Sequence, residues 1–304
     1  MQTLENRPGN SAATSKVGGK QSFDSIYNQS DPRSYYRTLE QYDYQVADHA
    51  RPIAEACLRE LARLRARPRL TLLDLCCGYG INGSLLRHSL SMADLYERYS
   101  DPDLDDLCAE ELAAADRRFF SRRRSSGATG LLGEILGMDA ADKAVRYAER
   151  VGLIDRGVGI NLEREELPRD LRAELGEVDL ITVTGGMGYV TDVTFRKILS
   201  ATSAAKRPWI LAFPLRGLDL DCFEQAFADH GLKTETWETL VPQRRFVDAA
   251  ERQRTLERLK MDEIDPAPER DEDSLFAQVY LARPAGEQSP IRLGEVSEAD
   301  RHLV

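Results

Sequence analysis

The chain has 304 residues, 42% of them hydrophobic, and a formal net charge of −10. That length and apolar content are enough for one large α/β domain with additions, or for two small ones. The acidic balance argues against a general nucleic-acid binder, which needs exposed Lys and Arg in excess to neutralise phosphates.

Residues 1–21 are rich in Gly, Ser, Asn and Lys and read as a disordered tail. They lack the apolar core of a signal peptide, and no apolar run reaches the ~18 residues that a membrane helix requires. A cytoplasmic protein without a membrane partner is expected. Residues 22–69 read as an N-terminal helical cover that begins with Phe23, Tyr27, Tyr35, Tyr36, Tyr42 and Tyr44. Ser30 or Asp31 can cap its first helix, with Pro32 in the opening turn. Tyrosine packs well and keeps a wet tip, so these rings serve either to pack the cover or to face a ligand. A second helix follows from about Asp48 to Arg65, with Ile53, Ala54, Cys57, Leu58 and Leu61 on one face.

Residues 70–284 read as the main domain. An apolar strand reaches Asp74 and Leu75, and Cys76-Cys77-Gly78-Tyr79-Gly80-Ile81-Asn82-Gly83 then turns into a helix. Residues 91–129 exceed the few residues of an ordinary α/β connection and read as a helical insertion. It carries Tyr96, Tyr99, an acidic run, and Arg117-Arg118-Phe119-Phe120-Ser121-Arg122-Arg123-Arg124, a solvated helix face balancing the acidic half. Leu131 to Met138 forms the next strand, ending at Asp139 before a helix from Ala141 to Val151. A short strand ends near Ile160-Asn161, and a helix near Pro168 to Leu175 follows. Val178 to Val183 is a strand buried on both faces; Thr184-Gly185-Gly186-Met187-Gly188-Tyr189 is its glycine-rich exit. Asp192 caps a helix to about Ala201, Trp209 to Phe213 is a strand, and Asp219 to His230 is a helix closed by Gly231. Thr234 to Val241 and Ala277 to Leu281 make an antiparallel edge pair. Between them lie Gln243-Arg244-Arg245-Phe246 and an acidic, solvated loop from Asp262 to Asp273. Residues 285–304 are a C-terminal tail.

Two strand–acid–helix units in succession point to a mostly parallel sheet that binds a nucleoside at its strand ends. Glycine at the first turn lets backbone N–H groups approach a ligand. The carboxylate of Asp139 can accept both hydroxyls of a ribose, or cap the helix that follows. The turn from Thr184 to Tyr189 implies close backbone approach, and the Tyr189 ring can stabilise a cation by ~0.5–2 kcal/mol. The five cysteines, Cys57, Cys76, Cys77, Cys108 and Cys222, form no CxxC pair and no histidine-spaced set. No metal and reduced thiols are therefore expected. Of the four histidines, His49, His88, His230 and His302, only His49 in the cover could reach a substrate, and a surface role is the stronger expectation for it. A scarcity of general bases favours catalysis by positioning and desolvation. Gly78, Gly80 and Gly83 also satisfy Gly-x-Gly-x-x-Gly, the dinucleotide pattern of dehydrogenases, but Asp74 and the downstream turn argue against that reading.

Taken together, these residues resemble the class I S-adenosylmethionine-dependent methyltransferases over roughly residues 70 to 215. Asp74, Gly78 and Gly80 match the family's Asp-x-Gly-x-Gly-x-Gly motif, with Cys76 standing where the first glycine usually is, and Asp139 matches the ribose acid. The resemblance implies a Rossmann-like, doubly wound, mostly parallel seven-stranded sheet and S-adenosylmethionine as cofactor. It also implies binding by Asp74, Cys76, Gly78, Gly80, Asp139, Asn161, Leu162, Thr184 and Gly185, with the N-terminal helices as a lid. Tyr189, Tyr27 and Tyr36 are the candidate catalytic aromatics. The expected reaction is methyl transfer to a small molecule of specialised metabolism; DNA base methylation is disfavoured because the Asn/Asp-Pro-Pro-Tyr signature is missing after the fourth strand. Some fold relatives instead let the ligand's own α-amine attack its γ-carbon, giving azetidine-2-carboxylate and methylthioadenosine, and the tyrosines suit that alternative. A non-enzymatic nucleotide-sensing role is the third reading.

Overall fold

The computed structural model describes residues 26–88, 90–123, 128–288 and 290–291. The expected tail 1–21, Phe23, Arg124, His302 and most of the segment 285–304 lie outside them. In chain order, helices α1 (Arg33–Gln41) and α2 (Val46–Arg65) precede strand β1 (Leu70–Leu75) and helix α3 (Ile81–His88). The segment 91–129 supplies α4 (Met92–Ser100) and α5 (Ala109–Ser121). Then come β2 (Leu132–Asp139), α6 (Asp142–Val151), β3 (Arg156–Gly159), α7 (Arg169–Leu175), β4 (Leu180–Val183), α8 (Asp192–Ser200), β5 (Trp209–Ala212) and α9 (Asp221–Asp229). The chain closes with β6 (Leu232–Arg245), α10 (Ala249–Met261), α11 (Ala267–Glu272) and β7 (Ser274–Pro284).

The strands form one seven-stranded sheet in the order β3-β2-β1-β4-β5-β7-β6. The five strands from β3 to β5 pair in parallel, and β7 runs antiparallel between β5 and β6. Period-two alternation splits the apolar residues between two layers. Leu70 and Leu72 join one core with α2 through α6, whereas Leu73 and Leu75 join another with α7, α8 and α9. Because both faces are covered, the parallel strands read as continuous apolar runs rather than as alternation. The strand order reverses between β1 and β4, so the loops leaving those strands diverge to opposite faces and open a crevice at their carboxyl ends.

Three expectations need correction. First, α2 is not part of a lid: its stripe of Ile53, Ala54, Cys57, Leu58 and Leu61 is buried in the core that flanks the sheet, which leaves α1 as the cover. Second, α8 is capped by Thr191, whose hydroxyl accepts from the Val193 N–H at 3.2 Å, rather than by Asp192. Third, the acidic stretch Asp262 to Asp273 is not simply loop. It holds α11, whose Glu269 is buried and takes a 2.6 Å hydrogen bond from Arg216. The tertiary ion pair stabilises a short helix that its sequence alone would not sustain.

Candidate functional site

The first turn forms despite its cysteine. Cys76 sits in the left-handed region at φ +61°, where a residue with a Cβ is strained by roughly 1–2 kcal/mol. Two hydrogen bonds oppose that strain, since the N–H groups of Cys76 and Cys77 both donate to Met138 O at the end of β2, at 2.8 and 3.2 Å. The opposing turn makes room for the thiol. A Cβ on Gly186 would lie 2.6 Å from the Cys76 Cβ and 2.8 Å from its Sγ, so the backbone after β4 occupies space that only glycine leaves open.

The carboxylate of Asp139 joins the turns after β1 and β2. Its Oδ2 accepts from the Gly78 N–H and its Oδ1 from the Ala141 N–H, both at 2.9 Å. The helix that follows is bounded by Ala141 and has no side-chain cap, so Asp139 organises the turn rather than serving as that helix's N-cap. Burial pushes its carboxyl above the ordinary carboxylate range, against the lowering effect of these hydrogen bonds. Each oxygen of a carboxylate offers two acceptor positions, which leaves capacity for ligand hydroxyls.

These turns floor a cavity of about 350 Å³. Its lining includes Cys76, Asp139, Asn161, Leu162, Thr184, Gly185, Tyr189 and Tyr27 from the sequence expectations. Tyr35 and Tyr44, two of the cover tyrosines left between packing and ligand, line it as well, and so do Leu39, Asn82, Glu163 and Arg244, which were not singled out as site residues. Asn82 ties the floor together, donating to Asp74 Oδ1 at 2.6 Å and to Thr184 Oγ1 at 2.8 Å. Glu163 accepts from the Thr191 N–H and hydroxyl and from the Thr194 hydroxyl at 2.6–2.9 Å. Burial raises its pKa, but those donors outweigh burial and hold it below the ordinary carboxylate range.

Four expected residues stand elsewhere. Tyr36 points away from the cavity, fully buried and stacked on Tyr99 at 4.4 Å with 4° between the planes. One residue along a helix turns the side chain by about 100°; Tyr35 and Leu39, one turn apart, take the cavity face instead. Asp74 lies beneath the floor, fully buried, accepting from Asn82 and, at 3.2 Å, from the Thr182 hydroxyl. Burial pushes its carboxyl up from 3.8 to about 7, partly offset by those two donors. Gly78 reaches the site through its bond to Asp139 and its φ of +50°. Gly80 faces α6, where an added Cβ would meet Ala148 and Leu153 at 3.0 Å. Gly83, three residues on, permits the same packing still more closely: a Cβ added there would lie 2.2 Å from Leu153 O.

The cover is aromatic. Tyr27 meets Tyr35 edge-on at 5.1 Å, and the Tyr44 hydroxyl donates to Thr184 O at 3.2 Å. Burial, and then the neighbouring tyrosines, push the Tyr27 and Tyr35 phenols up; burial and then Asp74 do so for Tyr44. All three remain neutral in the physiological range and present ring faces and donors. None of the described histidines lines the cavity: His49 meets Gln45 Oε1 at 3.2 Å, His88 packs on Phe120, and His230 meets Ala226 O. Among the described residues there is no group of His, Cys, Asp or Glu able to hold a metal, and no helix long and apolar enough to cross a membrane.

The insertion fastens the cover. Arg37 donates to Tyr99 O at 2.8 Å, Arg33 to Leu104 O at 2.5 Å, and Tyr96 to Tyr44 O. Beneath them, buried Asp116 on α5 accepts from Arg98 at 2.8 and 3.0 Å, from Tyr99 at 3.0 Å and from Tyr147 on α6. Arg117, Arg118, Arg122 and Arg123 are exposed, and Arg123 lies over the Phe119 ring at 3.7 Å.

A cavity over the carboxyl ends of β1, β2 and β4, at the point where strand order reverses, decides the architecture. The fold is Rossmann-like. No protein-family model matches the chain, and no curated protein matches its sequence. Among solved structures it is similar to a TehB-like SAM-dependent methyltransferase from Corynebacterium glutamicum, at 14% identity over 74% of this chain and 86% of that one, with a TM-score of 0.35. It is also similar to a SAM-dependent methyltransferase from Geobacter sulfurreducens in complex with S-adenosyl-L-homocysteine, at 16% identity over 76% and 90%, TM-score 0.33. A third is the plantazolicin methyltransferase BpumL, at 11% identity over 84% and 91%, TM-score 0.38. At this level of identity the likeness concerns the fold and nothing finer.

Proposed function

We propose that this cavity binds S-adenosylmethionine and that the protein is an enzyme transferring its methyl group to a small molecule, as in specialised metabolism. The observation that carries the reading is Asp139. It is a half-buried carboxylate at the end of β2, braced by two backbone N–H groups and facing the cavity at the strand-order switch. There it would take the ribose hydroxyls, with Asn161 and Leu162 beside the base. The sulfonium would then lie near Tyr27, Tyr35, Tyr44 and Tyr189, whose faces attract a cation. Displacement at a sulfonium carbon expels a neutral thioether, so alignment and exclusion of water supply much of the acceleration without a histidine base. Five free thiols are in keeping with a reducing compartment such as the cytoplasm.

A second reading is favoured by the aromatic lining of the site. Tyr27, Tyr35, Tyr44 and Tyr189 line the cavity and suit a reaction of the bound ligand with itself that needs no acceptor. In that reading the α-amine of S-adenosylmethionine, once deprotonated, attacks its own γ-carbon. The γ-carbon–sulfur bond breaks, and azetidine-2-carboxylate and methylthioadenosine leave. Mass spectrometry of the protein incubated with S-adenosylmethionine and no acceptor separates the readings. Methylthioadenosine with azetidine-2-carboxylate above the uncatalysed background establishes cyclisation. Intact bound ligand supports methyl transfer, and no binding sinks both.

A further inference from the structure

Glu163, the cavity's other carboxylate, has no part in the cofactor reading. It stands four residues after β3 and reaches the amino end of α8, the helix that follows β4. There Oε1 accepts from the Thr191 N–H at 2.9 Å and from the Thr194 hydroxyl at 2.6 Å, and Oε2 from the Thr191 hydroxyl at 2.7 Å. A carboxylate is favoured at a helix amino end, and bonds to a charged acceptor are stronger than neutral ones. The Thr191 hydroxyl in turn accepts from the Val193 N–H at 3.2 Å. Further along α8, Lys197 donates to Leu162 O and Glu165 O, both at 2.9 Å. Thr191, Thr194 and Lys197 recur every three residues, which gathers them on one side of the helix. That side receives the loop after β3.

The two segments joined in this way present different groups to the cavity. The loop after β3 lines it with Ile160, Asn161 and Leu162, and the turn before α8 with Tyr189 and Val190. In the sheet β3 and β4 are separated by β2 and β1, so no strand pairing sets one segment against the other. Tyr189 is 48% exposed, and its N–H donates to Gly186 O at 2.9 Å within its own turn. The exit of that turn is pinned at Thr191, two residues on, whose N–H and hydroxyl both go to Glu163. We propose that Glu163 is a positioning residue that fixes the Tyr189 rim against the loop lying beside the base. This rests on the proposed S-adenosylmethionine site, in which the rim sets an aromatic face near the sulfonium.

Fluorine NMR of the full chain labelled with meta-fluorotyrosine reads the position of the rim. The Tyr189 signal is the one missing from Tyr189→Phe. Glu163→Ala should move it towards the value of free fluorotyrosine and leave the signals of buried Tyr99 and Tyr147 in place, which verifies that the variant is folded. Glu163→Gln keeps an oxygen for Thr191 and Thr194 and should return the signal most of the way. Should Glu163→Ala fail to fold, Thr194→Val, which removes one of the three donors, is read in its place. Calorimetry with S-adenosylmethionine and S-adenosylhomocysteine then reads the consequence, because only the first carries the cation. Tyr189→Ala and Glu163→Ala should each lower the preference for the cation by about threefold, and the double variant no further. Affinity for S-adenosylhomocysteine should stay within about twofold. An unmoved Tyr189 signal overturns the proposal; an accompanying loss of about tenfold in S-adenosylhomocysteine affinity would make Glu163 a ligand contact instead. A moved signal with unchanged preference overturns it too, because the rim would not serve the site. Additive losses in the double variant do the same. Failure of the wild-type protein to bind either adenosyl ligand removes the site assignment, and the proposal with it.

Discussion

At the scale of single residues, the turn after β1 shows how an unfavourable side chain is accommodated. Cys76 accepts a left-handed conformation because Met138 O anchors its backbone and Gly186 vacates the space for its thiol. Gly186→Ala should therefore destabilise the protein by about 1–3 kcal/mol through overpacking. In a Cys76→Gly background most of that loss should vanish, giving a coupling of about 1 kcal/mol or more in a denaturant double-mutant cycle. Additive losses would show that the two turns do not press on each other. Asp139→Ala should weaken S-adenosylmethionine binding by more than about tenfold by calorimetry, because it removes the acceptor for the ribose and loosens the Gly78 turn; unchanged affinity would confine Asp139 to holding that turn. Tyr189 is 48% exposed on the cavity rim. Tyr189→Phe, which keeps the ring face, should retain most activity, whereas Tyr189→Ala should lose about tenfold more. Tyr35, Tyr44 and Arg244 were visible as residues, but nothing in their local sequence says which side of a helix or strand meets the ligand.

At the scale of elements, the insertion explains how a nine-residue helix stays over the cavity. An isolated α1 is too short to be stable. It is held from the insertion by Arg37–Tyr99, Arg33–Leu104 and the Tyr36–Tyr99 stack, and from β6 by the pairing of Tyr42 and Gln45. Tyr99→Ala removes the stack and a hydroxyl bonded to Asp116. It should cost about 3–5 kcal/mol and speed dissociation of S-adenosylhomocysteine in stopped flow, because a lid sets the rate of release. Tyr99→Phe keeps the stack and should restore slow release at a smaller loss of stability. Equal release rates in all three proteins would show that the insertion does not act on the cover. That segment could be recognised in the sequence by its excess length, but its task could not: every contact it makes with α1 joins residues far apart in the chain.

At the scale of the whole molecule, acidity and ligand binding should govern stability. Asp74 titrates at about 7 in the fold against 3.8 ordinarily, because burial disfavours its charge. Between those values the folded state binds more protons than the unfolded one, so this group's contribution to stability is full at low pH and falls as pH rises from about 4 to 7. Asp74→Asn should flatten that part of the stability–pH curve measured by denaturant unfolding; an unchanged slope would mean that Asp74 titrates normally. S-adenosylmethionine at about 100 times its Kd should add roughly 2.7 kcal/mol, an upward shift of several degrees in Tm. No shift would contradict specific binding to the folded chain.

The sequence by itself determined the strand–acid–helix succession, the position of both turns, Asp139 at the end of β2 and the aromatic character of the cover. These follow from apolar periodicity, glycine and capping, which act between neighbours along the chain. Only the tertiary structure decided that Tyr35 rather than Tyr36 lines the cavity and that Asp74 lies under its floor. The same holds for the folding of α11 on Glu269 and for the meeting of Glu163 with Thr191 and Thr194 beside the site. Each depends on which face of an element another element covers. That choice is made by burial and ion pairing between distant segments, and no local pattern carries it.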